Sequence, residues 1–158
     1  MWWPLGCIVG CRCKPNSATL LYQWFLARLI SKPPLLAGGP VLLYASAEPA
    51  AVRAVQDRLG VARAGEMVEH TLSRIAAGLV QRGVRQLLVA GGETSGAVVQ
   101  ALGVQRMSIG PQIDPGVPWT AVDSPLCPGE PVHVALKSGN FGSTDFFSKA
   151  FTQLASLP

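Results

Sequence analysis

Charge is scarce in this sequence. Asp, Glu, Lys and Arg make up 14% of its 158 residues, against 49% hydrophobic residues and a mean hydropathy of +0.32. A chain this apolar is not disordered, and its length suits one domain with a real core rather than two. Histidine is scarcer still, with only His70 and His133. Three of the four cysteines, Cys7, Cys11 and Cys13, stand close together. Their C-x3-C-x-C spacing lacks the paired ligands and nearby His of a zinc site, so they read as free thiols and no metal site is expected. No second group of cysteines supports a secreted disulfide framework, which makes a cytoplasmic location the expectation. Long apolar runs are missing too. Residues 18–30 are interrupted by Gln23 and Arg28 and fall short of the roughly 20 residues that cross a bilayer. The N-terminal apolar run precedes its basic residues, the reverse of a secretory signal. No membrane partner is expected.

The formal net charge of +4 is unevenly placed. Arg12, Lys14, Arg28 and Lys32 lie in residues 1–39, which contain no acid, whereas residues 40–158 hold nine basic and nine acidic side chains. The body is neutral and shows no basic patch of the kind that phosphate-backbone binding needs, so no nucleic-acid partner is expected. Residues 1–38 read as an atypical basic leader of unknown role, with a short amphipathic helix over residues 20–30. Lys32-Pro33-Pro34 and Gly38-Gly39 mark the boundary to the domain at 39–158.

That body alternates strands and helices. Residues 40–46 (PVLLYAS) predict a buried strand, and Pro49 opens a helix that Gly60 ends. Val68, Leu72, Ile75 and Leu79 form one face of a helix over 64–81, with His70 off the stripe. Further strands are expected at 86–90, 104–109 and 132–136, and helices at 94–102 and 144–154. The prolines and glycines from Pro111 to Gly129 predict a largely irregular stretch. The fold class expected is α/β, a largely parallel sheet covered by helices in a single nucleotide-binding domain.

Two strand–glycine–helix junctions carry the chemistry. In residues 87–97 (LLVAGGETSGA) a strand runs into Gly91-Gly92, and Thr94 and Ser95 follow where a helix starts. Glycine lets a ligand approach the main chain, and a helix N-terminus offers N–H groups and partial positive charge to phosphate. The hydroxyls of Thr94 and Ser95 suit either a cap or a ligand. Glu93 could hold a cation through water, accept from a ribose hydroxyl or cap the helix turn. The loop is neither a Walker A loop nor a dinucleotide fingerprint. In residues 135–145 (ALKSGNFGSTD) a second strand feeds a second glycine loop, with Lys137 at the strand's end and a helix start at residues 143–145. Two such loops at one sheet edge point to an anion or nucleotide pocket.

At these loops the sequence resembles the nucleotide-binding C-terminal domain of the four-carbon acid sugar kinases. The motifs are LLVAGGETSGAVVQALGV (87–104), IGPQIDPGVPW (109–119) and ALKSGNFGSTDFFSKAF (135–151), with GPVLLYASAEP (39–49) upstream, and the GGETSG form is most similar to the 3-oxo-tetronate kinase group. The resemblance implies ATP-dependent phosphorylation of a four-carbon sugar acid at a terminal hydroxyl, with Mg²⁺ accompanying the ATP. It implies nucleotide contacts from Gly92, Glu93, Thr94, Ser95 and Gly96 of GGETSG and from Gly139 of KSGNFG, with Lys137, Ser138 and Asn140 beside it. The family's N-terminal substrate domain and an upstream Gly-Ser-Cys-Ser type motif are not matched; Pro15-Asn16-Ser17-Ala18-Thr19 comes nearest. No catalytic base is therefore assigned, and the isolated chain is expected to be inactive. A non-catalytic fragment or pseudokinase that binds nucleotide or another phosphorylated ligand is the alternative. A generic α/β module for another phosphorylated ligand is a third reading. Self-association is left open.

Overall fold

The computed structural model describes residues 7–13, 40–45, 48–139 and 141–155, the first of these spans as backbone only. The amphipathic stretch at 20–30 lies outside them. In chain order the elements are β1 (Cys7–Cys13), β2 (Val41–Tyr44), α1 (Pro49–Leu59), α2 (Val61–Gln81), β3 (Val84–Ala90), α3 (Gly92–Ala101), β4 (Arg106–Asp114), β5 (Val117–Asp123), β6 (Val132–Lys137) and α4 (Phe146–Ala155). The strands form one six-stranded sheet in the order β2-β1-β3-β6-β5-β4.

The α/β class holds, but the sheet is mixed where a largely parallel one was expected. Only β3 and β6 pair in parallel; every other neighbouring pair is antiparallel. The pairings make β2, β3, β6 and β4 run one way and β1 and β5 the other. Strand–helix alternation orients most strands alike, and two reversed strands inserted between them break the parallel neighbourhood. One of these, β1, comes from the N-terminal basic stretch and runs between β2 and β3.

The other reversed strand, β5, lies in the stretch expected to be irregular. Pro111 falls within the register shift between Ile109 and Gln112 of an edge strand, where no regular ladder bond is lost. Pro118 precedes Trp119, where pairing with β6 begins. Pro115-Gly116 makes the turn between β4 and β5, with Gly116 at φ +80°. The prolines thus sit where strands tolerate them.

Each face of the sheet carries its own core. On one, Leu72, Leu79 and Val80 of α2 and Val98 of α3 pack on Leu87 and Val89 of β3 and Val132 and Val134 of β6. The predicted stripe of α2 is here, with Val68 and Ile75 partly buried against the same cluster, and His70 is exposed. On the other face, Phe146, Ala150 and Leu154 of α4 pack on Leu88, Trp119 and Ala135. Successive side chains of a strand point to opposite faces, so adjacent Leu87 and Leu88 serve different cores. Trp119 is the largest fully buried side chain, and its indole N–H donates to the Ala150 carbonyl at 2.9 Å. Its ring meets Phe151 edge-on at 5.7 Å. Helix α1 buries no residue.

Trp119→Phe, which keeps a buried ring but removes the indole donor, is expected to cost about 1–3 kcal/mol. Leu42→Ala, at an exposed position on β2, should stay within about 0.5 kcal/mol of the parent. Urea unfolding of both variants checks this, and equal effects would contradict the assignment of Trp119 to a tight core.

Candidate nucleotide site

The two glycine junctions meet at one edge of the sheet. The parallel register sets Ala90 beside Lys137, and one step further the Gly91 N–H donates to the Lys137 carbonyl at 2.9 Å. Gly91 is at φ +118°, a conformation L side chains rarely adopt, and this lets β3 turn straight into α3. Its carbonyl accepts the Ser95 N–H at 2.9 Å.

Helix α3 starts at Gly92, two residues earlier than expected, so Thr94 and Ser95 lie inside its first turn and no side chain caps it. The first turn of a helix has N–H groups without intrahelical acceptors, and these remain available to an external anion. Thr94 and Ser95 are buried, 1% and 8% exposed. The Ser95 hydroxyl is buried without a hydrogen-bond partner among the described residues, a cost that a ligand acceptor would relieve. Gly92 and Gly96 border open space, since a Cβ on either would meet nothing within 4 Å. Glu93 is exposed on the same turn and faces Glu69 of α2. Burial pushes the Glu69 carboxyl up, and the Glu93 carboxyl, within hydrogen-bonding reach, adds to the shift, with Glu66 contributing further. Such a pair accommodates a shared proton or a cation.

The second loop begins at Lys137, which is 3% exposed. Its ammonium donates to the Gly139 carbonyl at 3.0 Å and reaches the Ser138 carbonyl at 3.5 Å, 6.0 Å from the centre of the Phe146 ring. The cation at the strand's end thus helps to hold its own loop. Ser138 and Gly139 are exposed, and a Cβ on Gly139 would also meet open space. Asn140 lies outside the described residues. At Gly142, φ is +92°, and a Cβ would come within 2.9 Å of the Phe146 ring and 3.1 Å of Lys137 Cε, so only glycine fits.

Sequence reasoning missed Asp114, which ends β4 at this same sheet edge. It is 7% exposed and accepts the Ser143 N–H at 2.8 Å, the Ser143 hydroxyl at 2.7 Å and the Lys149 ammonium. The Lys149 contact first, then the Ser143 N–H and hydroxyl, lower its carboxyl to about 2. Asp145 is also lowered, first by the Ser143 hydroxyl. The only forewarning was an Asp directly before a Pro-Gly turn.

Elsewhere, a cavity of about 590 Å³ lies at the opposite end of β6, lined by Arg106, Asp123, Cys127 and Glu130 among others. Its charged rim is internally paired, Arg106 with Asp123 at 3.9 Å and Glu130 with Arg85 at 2.8 Å. Among the described residues no group of three or more His, Cys, Asp or Glu could hold a metal ion. No helix among them is long and apolar enough to cross a membrane.

A carboxyl depressed on folding stabilises the fold above its unfolded value and loses that contribution as pH falls through its folded value. Asp114 moves from 3.8 to about 2, so the loss falls between about pH 4 and pH 2. Urea midpoints from pH 7 to 2 should therefore converge for the wild type and Asp114→Asn in that window. A gap that stays constant would contradict this assignment.

A family model described as the nucleotide-binding C-terminal domain matches residues 16–147, beginning upstream of the motifs that carry the resemblance. The 3-oxo-tetronate kinase of Pseudomonas savastanoi pv. phaseolicola is 60% identical over 119 residues, 75% of this chain and 27% of that protein. That of Burkholderia multivorans is 62% identical over 116 residues, 73% of this chain and 26% of that protein. A solved structure of a Haemophilus influenzae protein shares 45% identity and superposes with a TM-score of 0.57, covering 68% of this chain and 25% of that one. The chain thus spans about a quarter of the length of these relatives. It belongs to the four-carbon acid sugar kinase family and carries that family's nucleotide-binding C-terminal domain.

Proposed function

We propose that this chain is the ATP-binding part of a kinase that phosphorylates a four-carbon sugar acid of the 3-oxo-tetronate type at a terminal hydroxyl. The observation that carries the reading is the Gly91–Lys137 backbone bond, which joins two glycine loops at the carboxyl ends of adjacent parallel strands. Ligands of α/β sheets bind outside such strand ends. The 3-oxo-tetronate kinases that match the chain supply the substrate class.

The residues present fit a nucleotide. The uncapped first turn of α3 offers N–H groups and the positive end of the helix dipole to phosphate oxygens. Ser95 adds a buried hydroxyl in need of a partner. Gly92, Gly96 and Gly139 leave room for the nucleotide against the backbone. Lys137 holds the second loop in shape through the Gly139 carbonyl. Phosphoryl transfer depends on positioning and charge neutralisation, and Mg²⁺ would supply the latter when bound with ATP. Its ligands would be mainly the phosphates and water, with Glu93 the nearest carboxylate on the α3 turn. The site works in the cytoplasm on this reading. Turnover requires the substrate-binding part of the family, so this chain alone binds nucleotide without phosphorylating a sugar acid. A non-catalytic fragment or pseudokinase that binds nucleotide is the second reading.

Calorimetry with ATP and ADP, with and without Mg²⁺, tests the proposal. Saturable binding is expected, weakened at least tenfold by Gly139→Trp, about 1.4 kcal/mol or more. A folded sample that binds neither nucleotide, or binding indifferent to Gly139→Trp, would rule it out. Assays on four-carbon acids separate the two readings. Turnover on addition of the family's substrate domain supports the kinase, and persistent inactivity supports the fragment.

A further inference from the structure

The second loop is tied down from three sides. Lys137 reaches back to the Gly139 carbonyl at 3.0 Å. The Phe141 N–H donates to the Ser138 carbonyl at 3.2 Å, closing a tight turn. The Phe141 ring lies over Gly116 of the β4–β5 turn, where a Cβ would come within 2.9 Å of it. The third tie is Asp114, whose two oxygens take three donors from residues 29 and 35 positions away.

We infer that Asp114 is a positioning residue for nucleotide binding, holding residues 141–143, and through the Phe141–Ser138 backbone bond Ser138 and Gly139, where Gly139 faces the nucleotide. The inference rests on the proposed nucleotide site. Asp114 ends a strand that runs in the same direction as β3 and β6, so it reaches the same sheet edge as both glycine loops. Oδ1 takes Lys149 and Oδ2 takes both Ser143 donors, so the carboxylate is occupied by protein and acts through the loop rather than on a ligand. Lys149 lies on α4, so one carboxylate couples the β4–β5 hairpin, the loop and the helix that follows it. The contact is charge-assisted on both oxygens, the strong form of hydrogen bond. Asp114→Asn keeps one acceptor oxygen and turns the other into an NH2 donor, so Ser143 and Lys149 can no longer both be held and the turn gains freedom at Ser143.

The test pairs two measurements on the full chain: calorimetric affinity for ATP and hydrogen exchange of the amides at 141–143, with the amides of α3 as reference. Asp114→Asn is expected to weaken ATP at least tenfold and to speed exchange at 141–143 at least tenfold, leaving α3 unchanged. Asp114→Glu, which restores the charge, should recover part of both. Ser143→Ala, which keeps the backbone contact, should show about a threefold effect on each. Faster exchange with unchanged ATP affinity would make the clamp merely structural and overturn the inference. Unchanged exchange would overturn it as well. If Asp114→Asn does not fold, the Ser143→Ala pair decides, and no effect on either readout counts against the inference. Wild type that binds no ATP while exchange still responds to Asp114→Asn would refute the nucleotide site, and the positioning role with it, while leaving the loop clamp standing.

Discussion

The hydrogen bond from the Gly91 N–H to the Lys137 carbonyl extends the parallel ladder one residue past the end of β3, onto the last residue of β6. Everything proposed for the site depends on that register. Parallel strands place both carboxyl ends on the same edge, which is why the loops that follow Ala90 and Lys137, far apart in sequence, can serve one ligand. An antiparallel pairing of β3 and β6 would have sent the loops to opposite ends of the sheet. A slip by one residue would exchange the two cores, moving Leu88 from the α4 side to the α2 side. Full burial of Leu87, Leu88 and Val89 opposes that slip on both faces at once. The cores therefore set the register, and the register sets the site.

The two loops are built by different means. The first needs little beyond a glycine at positive φ and a helix that starts at once; its chemistry is backbone N–H groups and one buried hydroxyl. The second is longer and bends back on itself, so it requires side chains to hold it. Lys137 secures its start and Asp114 its end, and both are almost fully buried. Charged groups are retained in such places when their partners satisfy them. Here the partners are the carbonyls and donors of the loop itself.

What could be read from the sequence follows the range of the forces involved. Glycine punctuation and helical periodicity are local, so β3, α2, α3 and β6 and both loops were legible from composition and spacing. Strand direction is not local, and neither reversed strand could be inferred from strand–helix alternation. Pro111 and Pro118 read as breakers because their neighbours in the sheet were unknown; at an edge, and just ahead of the β6 ladder, they break nothing. The roles of the charged residues were hidden for the same reason. Lys137 could be read only as a cation at a strand's end, and the fold shows its ammonium donating to the Gly139 carbonyl two residues on. Asp114 looked like one more turn residue until the fold brought Ser143 and Lys149 to it. Gly92, Gly96 and Gly139 were expected to leave room for a ligand, and each borders open space. Ser95 was a choice between cap and ligand, and the helix starts too early for it to cap.

The electrostatic balance of the edge follows from these placements. Lys137 and Lys149 are both engaged by the protein, and the exposed charge on the α3 turn is that of Glu93, with Glu69 beside it. The α3 N-terminus offers a polyphosphate a partial charge of roughly half a proton. That is too little to offset the several negative charges of ATP. On the proposed function, a divalent cation carried by the phosphates would supply part of the balance. Among the described residues, the contribution to the site on this reading is geometry and backbone donors.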